Sequence, residues 1–495
     1  MSAPAPPTTA VHPVIGLEVH AQLQTRSKIF CRCPVTVAAP PNEATCPVCL
    51  GFPGTLPVLN REAVTLALRL AMAVGATIHP RSRFARKNYF YPDLPKGYQI
   101  TQYDRPFATG GQIVIDTAEG PKTIRLVRVH LEEDAGKSLH EKPFPDVPDS
   151  VTLVDWNRAG VPLIEIVGEP DIRAPEEAAA YLTELRRLLR YTGVSDGDME
   201  KGNLRCDANV SVRLSESAPF GTRVEIKNLN SIRFVAKALE HEIARQAEVL
   251  AGGGKVALET RLWDPGAGRT VAMRGKEEAH DYRYFPEPDL GDLLVDDAWL
   301  AEAAKGVPEL PRARRARLAK DHGIAPADAD TLVSARELAD YYEAVVAAGA
   351  PARPAANWVV GELLRWMKED GHSPEDALSF SVEPARLAGL IRLLEQGTVS
   401  AASAKALLEA MRSDKREASV LAQEKGLGKI ADASALEAVV AEIVSGNPSQ
   451  VELYRGGKTA TFGWFVGQVM KKTGGRADPA IVREALTRAL GAPPA

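Results

Sequence analysis

No apolar run in this chain of 495 residues is long enough to span a bilayer, which excludes a helical membrane anchor. The Ala/Pro/Thr-rich first dozen residues carry neither a basic start nor an apolar segment. The expectation is therefore a cytosolic (cytoplasmic) protein with a short disordered leader. A strong charge of either sign is missing too. Sixty basic residues stand against 64 acidic ones, a net charge of −4, so any nucleic-acid partner must be met by local basic patches. The usual nucleotide loops are absent. Ala135 to Ser138, AGKS, ends like a P-loop, but the position five before Gly136 is Leu131 rather than a glycine, and no GxGxxG follows a strand. A nucleotide held by this chain has to lie on the open face of a sheet.

What is present reads as an ordinary globular protein, 45% hydrophobic and 25% charged, and too long for one core, so two or three domains are expected. Arg128 to His140, RVHLEEDAGKSLH, places Val127, Val129 and Leu131 on one strand face and Arg128, His130 and Glu132 on the other, with Glu133 and Asp134 at the strand's mouth. Val14 to Leu23 alternates in the same way, with Glu18, His20 and Gln22 opposite Leu17, Val19 and Ala21. In Val161 to Val167 a single Glu165 sits inside an apolar run, where a carboxylate is costly unless it is paired with a cationic side chain or bound to a metal. Carboxylate and imidazole donors with open positions suit Mg²⁺ or Mn²⁺ in a nucleotide-using site.

Cysteine is scarce, five in all, yet Cys31, Cys33, Cys46 and Cys49 fall together as a CxC and a CxxC. Two such claws close a tetrahedron around a structural Zn²⁺; disulfides or free thiols are the alternative, and the weaker one in a cytosolic protein. Cys206 reads as a core residue. The connection 86–104, RKNYFYPDLPKGYQITQYD, is either a packed surface loop or a lid over phosphate and base, with Lys87, Tyr89, Tyr91 and Lys96 as its candidate contacts. Leu153 to Arg158 reads as a strand with Asp155 and Asn157 on one face. The strands 204–214 and 222–231 line a polar face with Arg205, Asp207 and Lys227 opposite apolar positions. Asn60 caps one helix, with a stripe at Val64, Ala67, Leu68 and Ala71, and Pro175 opens another, with a stripe at Ala178, Tyr181, Leu182, Leu185 and Leu189. One-sided alternation beside such stripes predicts an α+β fold: an antiparallel sheet with helices behind it and a polar face in front.

Beyond Pro288 alternation stops and helical stripes follow, each ended by glycine, in 334–349, 357–371 and 385–397. The expected domains are 1–295 with the sheet, an all-α domain 296–414, and a small all-α tail 415–495. From Arg455 to Arg476 there are five basic residues and no acidic one, which is either a solvated helix end or a contact for a phosphate backbone.

LVDWNRAGVPLIEI at 153–166 carries a resemblance, together with VIGLEVHAQL, KNYFYPDLPKGYQ, HLEEDAGKS, LRCDANVS, EIKNLNS and DYRYFPEPDL. Taken in chain order they cover nearly all of the first 290 residues and resemble the B subunits (GatB family) of the aspartyl/glutamyl-tRNA amidotransferases, which make Gln-tRNA and Asn-tRNA by the indirect route. The resemblance implies a catalytic fold similar to the glutamine synthetase and guanidino kinase group. It implies that His20, Glu133 and Glu165 match Mg²⁺ ligands, with Glu18 and Glu132 close by. Strand parity favours Glu132 over Glu133, so that choice stays open. Arg205, Asp207 and Lys227 complete the implied catalytic set, and Lys137 joins Lys87, Tyr89, Tyr91 and Lys96 for ATP. Some members lack the four cysteines, which makes zinc an accessory.

The family's reaction is a ligation. ATP converts the side-chain carboxylate of a misacylated glutamyl- or aspartyl-tRNA into an acyl phosphate, and ammonia displaces the phosphate. No GxSxG elbow or Cys/His pair that would free ammonia from glutamine is evident, so the resemblance assigns that task to a partner amidase (A) subunit, joined by a small C subunit in a heterotrimer. The tail is similar to YqeY, which favours tRNA as its partner. The rival reading is a zinc-stabilised tRNA-binding scaffold with a purely structural acidic sheet; ATP turnover dependent on charged tRNA separates the two.

Overall fold

The computed structural model describes residues 11–36, 39–139, 147–148, 150–273, 282–430 and 433–491; the expected leader over residues 1–10, His140 and Asp281 lie outside them. Strict alternation makes β1 (His12–Gln22) the middle of the sheet: Ile15, Leu17, Val19 and Ala21 are buried on one side, and Glu18, His20 and Gln22 lie on the other. In chain order come β2 (Thr77–Ile78), β3 (Ala108–Thr109), β4 (Gln112–Thr117), β5 (Gly120–Glu133), β6 (Pro162–Gly168), β7 (Leu204–Arg213), β8 (Val224–Lys227), β9 (Glu259–Asp264) and β10 (Arg269–Ala272). They form one ten-stranded sheet ordered β10-β9-β8-β7-β1-β6-β5-β3-β2, with β4 beside β5. Only β8 and β9 run parallel.

The apolar face is covered by α1 (Arg61–Ala73), α2 (Pro175–Tyr191) and α3 (Ile232–Ala251). Val64, Leu68, Leu182, Leu185, Val235 and Leu239 share one core with Val19, Leu131, Ile164 and Val210 of the sheet. Burying each such side chain is worth about 1.5–3 kcal/mol. The expected signals start the helices: Asn60 accepts from the Glu62 N–H at 2.9 Å, and Pro175 opens α2. A short α4 (Asp297–Ala304) packs on α1, with Trp299 Nε1 donating to Thr65 Oγ1 at 2.9 Å, and the first compact unit runs to Leu310.

Two local expectations are corrected. Val127 does not share the core face with Val129 and Leu131: the register between β6 and β5 steps from Val167 opposite Arg128 to Gly168 opposite Leu126, which leaves Val127 exposed as a bulge. An extra residue reverses the parity of everything before it, so Leu126 and Ile124 point inward instead. The strand read over Leu153 to Arg158 stops at Asp155, where it pairs with Lys137–Leu139. Asp155 Oδ1 accepts from the Asn157 N–H at 2.9 Å, a turn that competes with further strand.

The second unit, Pro311–Ala495, is helical in its described residues: α5 (Pro311–Asp321), α6 (Pro326–Leu332), α7 (Arg336–Ala347), α8 (Ala352–Asn357), a π turn (Trp358–Leu363), α9 (Leu364–Glu369), a 3₁₀ turn (Pro374–Ser379), α10 (Pro384–Glu395), α11 (Ala401–Met411), α12 (Ala418–Glu424), α13 (Ala433–Ser445), α14 (Pro448–Arg455), α15 (Ala460–Lys472) and α16 (Pro479–Leu490). Left-handed Gly349, Gly371 and Gly397 follow the three expected stripes. Helix α12 packs on α10 and α11, whereas α13 to α16 enclose a core of their own around Leu436, Tyr454, Phe465 and Leu486.

Candidate metal and phosphate site

Antiparallel pairing sets side chains on one face directly opposite one another, with Cβ atoms about 5 Å apart. Arg205, His20, Glu165 and His130 are such partners across β7, β1, β6 and β5, and they make a row on the open face. Glu132 lies two residues beyond His130 on the same side. His20 Nε2 is 3.4 Å from Glu165 Oε2 and 3.6 Å from Glu132 Oε1, while His130 Nε2 is 3.2 Å from Glu165 Oε2. One donor atom from each of His20, Glu132 and Glu165 falls within 4.8 Å of the others, a separation a single cation can bridge.

The electrostatics of this cluster are those of anionic and cationic groups pressed together. Burial works against the His20 imidazolium, but its hydrogen bond to Glu165 and the charge of Glu132 hold its pKa up at about 9. Burial likewise opposes the Glu165 charge, and His130 and His20 drive its pKa well below the usual carboxylate range. His130 Nδ1 is buried with no hydrogen-bond partner among the described residues. A cation between these donors takes over the role of the imidazolium protons, so the donor set fits Mg²⁺ chemically.

Glu133 points elsewhere. Its Oε1 is bound by Lys96 Nζ and accepts from the Ile100 N–H at 2.8 Å, so the structure brings Glu132, and not Glu133, to His20 and Glu165. Glu18 lies one pair further along, opposite Asp207, and accepts from Asn209 Nδ2 at 3.0 Å; burial and then the charges of Glu165 and Asp207 push its pKa up. Arg205 Nη2 lies 2.7 Å from buried Asp134 Oδ1, and Lys227 Nζ lies 2.7 Å from Asp207 Oδ2 and 2.9 Å from Glu225 Oε1.

The connection over residues 86–104 contributes to a small sheet of Ala85–Asn88, Tyr98–Thr101 and Phe285–Pro286. Lys87 Nζ sits 4.8 Å from the centre of the Tyr282 ring; burial opposes its charge, and Glu132 and Glu165 hold its pKa up. Tyr89 meets Tyr282 edge-on at 6.1 Å, and Tyr284 stacks on Tyr103 at 4.0 Å. Lys87 and Tyr89 are thus gathered toward the cluster, Lys96 is committed to Glu133, and Tyr91 and Lys137 are exposed. Reading the sequence placed His130 and Asp134 beside Glu132 without giving either a role, and missed Tyr282 and Tyr284. The parity that selects Glu132 selects His130 equally, but nothing local to Tyr282 and Tyr284 signals their return over the sheet.

The four cysteine sulfurs also lie within 4.8 Å of one another, and none is in a disulfide. Fully buried Lys28 places its Nζ 3.5 Å from Cys49 Sγ. A hydrogen bond from Cys31 outweighs burial and brings the Cys49 thiol down to about 4, while burial raises Cys33 to about 11. Four convergent thiols with a buried ammonium beside them fit a closed structural Zn²⁺ site. The loop between the claws is stitched to the turn after Asp155: Asn42 N–H donates to Asp155 Oδ1 at 3.1 Å, and Ala44 N–H to Asn157 Oδ1 at 2.8 Å.

The model of the GatB/GatE catalytic domain matches residues 13–301, and that of the GatB domain matches residues 340–490. Among curated relatives, the B subunit of the aspartyl/glutamyl-tRNA(Asn/Gln) amidotransferase of Geobacter sulfurreducens is 52% identical over 96% of this chain and 98% of its own length. The protein of the same name from Myxococcus xanthus is 52% identical over 98% of this chain and all of its own length. The chain belongs to this family of amidotransferase B subunits.

Proposed function

We propose that the chain is the ATP-using subunit of a tRNA-dependent amidotransferase, a ligase acting on misacylated Glu-tRNA(Gln), Asp-tRNA(Asn) or both. The observation that carries this reading is the convergence of His20, Glu132 and Glu165 on the sheet's open face. These three would hold Mg²⁺, which when bound neutralises phosphate charge during phosphoryl transfer. Glu132 is preferred to Glu133 because the Glu133 carboxylate is occupied by Lys96 and the Ile100 N–H. Cys31, Cys33, Cys46 and Cys49 would hold the structural Zn²⁺.

A substrate carboxylate oxygen attacks the γ-phosphorus of ATP and ADP leaves. Ammonia then attacks the acyl carbon and phosphate departs with that oxygen. Lys87 faces the metal cluster and is suited to meeting transferred phosphate oxygens. Arg205 and Lys227, with 38% of each side chain exposed, offer further cationic contacts at the rim. No strong general base is needed, since positioning and charge supply most of the effect. Ammonia would come from the amidase partner, with a small third subunit completing the assembly, and the tail would grip the tRNA body.

The test is the complex reconstituted with its partner subunits and given each misacylated tRNA, ATP and glutamine. ADP release that depends on the charged tRNA, together with Gln-tRNA or Asn-tRNA formation, is expected. ATP turnover that ignores the charge on the tRNA would refute the assignment.

A further inference from the structure

We propose that the loop 89–97 is a stacking platform for the unpaired 3′ end of the tRNA, with Phe90 and Tyr91 as the rings on which its bases lie. This rests on the tRNA-dependent function above and adds to it the place where the reacting end is held. Phe90 is 91% exposed and Tyr91 60%, so both leave apolar surface in water, Phe90 more than any other large hydrophobic side chain among the described residues.

The loop that presents them is built to stay in place. Trp156 Nε1 donates to Pro92 O at 3.2 Å, Gly136 N–H to Asp93 O at 2.8 Å and Tyr89 N–H to Gly97 O at 3.2 Å. The Phe90 ring leans on Gly97, where an added Cβ would come within 3.1 Å of it, so a side chain there would dislodge the ring. At the loop's end Lys96 binds Glu133, the residue next to Glu132 of the metal cluster.

A cation stands next to the loop: the exposed Lys137 follows directly on Gly136, which is bonded to Asp93 of the loop, whereas Arg158 is held by the carbonyls of Ala135 and Gly136 and by Asp134. Exposed rings beside cations are the combination that holds single-stranded nucleic acid, because every unstacked base offers a π-face and every nucleotide a phosphate. A duplex offers no free base faces, whereas the charged end of a tRNA is unpaired, and its amino acid has to reach Glu132 and Glu165.

The test is a cycle of two changes in the reconstituted complex: Phe90→Ala with Tyr91→Ala in the protein, and removal of the unpaired 3′ nucleotides from an uncharged tRNA transcript. In the parent complex trimming should weaken binding roughly tenfold. In the double variant the intact transcript should bind as weakly as the trimmed one, and trimming should have no further effect. Phe90→Tyr with Tyr91→Phe keeps both rings and should restore the parent values. Equal trimming losses in parent and variant overturn the proposal, as does a parent complex indifferent to trimming. A variant complex that fails to assemble would assign the rings to a partner subunit, and overturns it too. The function on which it rests is scored separately, by charged-tRNA-dependent ADP release from the parent complex.

Discussion

Glu165 is the residue on which the site turns, since it touches both imidazoles and pairs directly with His20 and His130 across the sheet. Glu165→Gln keeps the shape and removes the anionic donor, so charged-tRNA-dependent ADP release should fall by at least about a hundredfold while tRNA affinity stays within about twofold. Rates measured against ATP and against tRNA, with a separate binding titration, check this. A large loss of tRNA affinity in the folded variant would move Glu165 out of the metal site. Glu18, His20 and Glu132 were legible from alternation, and Glu165 as a single carboxylate inside an apolar run. Which of Glu132 and Glu133 turns toward His20 needed the structure, because a carboxylate at a strand's end can turn either way until its neighbours claim it.

Between residue and whole lie the elements, and two of these carry tests. The cysteine knuckle is held to the turn after Asp155 through Asn42 and Ala44, so metal loss should be felt on both sides. Cys46→Ser should abolish stoichiometric zinc and speed hydrogen exchange around Trp156–Gly160, as read by metal analysis and exchange mass spectrometry. In the helical unit, nearly buried Arg314 of α5 binds Glu343 and Asp340 of α7. Burial pushes the Glu343 pKa up, but its bonds to Arg314 and Arg317 win and hold it below the ordinary 4.5. A depressed carboxylate pKa contributes stability that is complete above the unfolded value and lost as pH falls through the folded one. Glu343→Gln should therefore destabilise α5 and α7 by about 1–2 kcal/mol at pH 7, with the difference shrinking below pH 4.5. Amide exchange of α7 at the two pH values reads it out.

At the scale of the whole molecule, the basic tail stretch divides once its partners are visible. Lys472 is paired with Glu442 and Arg476 is bonded to the carbonyls of Gly426 and Thr473, whereas Arg455, Lys458 and Lys471 are exposed. Changing these three to Ala should weaken tRNA binding and lower the slope of log affinity against log salt by about 0.7–0.9 for each phosphate no longer neutralised. Truncation after residue 430, which spares α12 and its packing on α10 and α11, should raise KM for charged tRNA with little change in kcat. Full affinity and an unchanged salt slope in the truncated complex would make the tail a docking module for one of the partner subunits.

Period-two alternation by itself determined the antiparallel sheet, its apolar and polar faces, and the strands that bear His20 and Glu132, while a short apolar run marked the strand that bears Glu165. Helix stripes with their caps determined the layer behind it and the helical second half. Chelate spacing determined the cysteine cluster, whose four sulfurs converge. These are properties of a few consecutive residues, set by where successive Cβ atoms point. Only the tertiary structure decided the rest: the strand order that aligns Arg205, His20, Glu165 and His130 in a row, the bulge at Val127, the return of Tyr282 and Tyr284 over the sheet, and the capture of Glu133 by Lys96. Each depends on which distant segments pair, and the energy of such pairings resides in interactions between residues far apart in the chain, which no local pattern records.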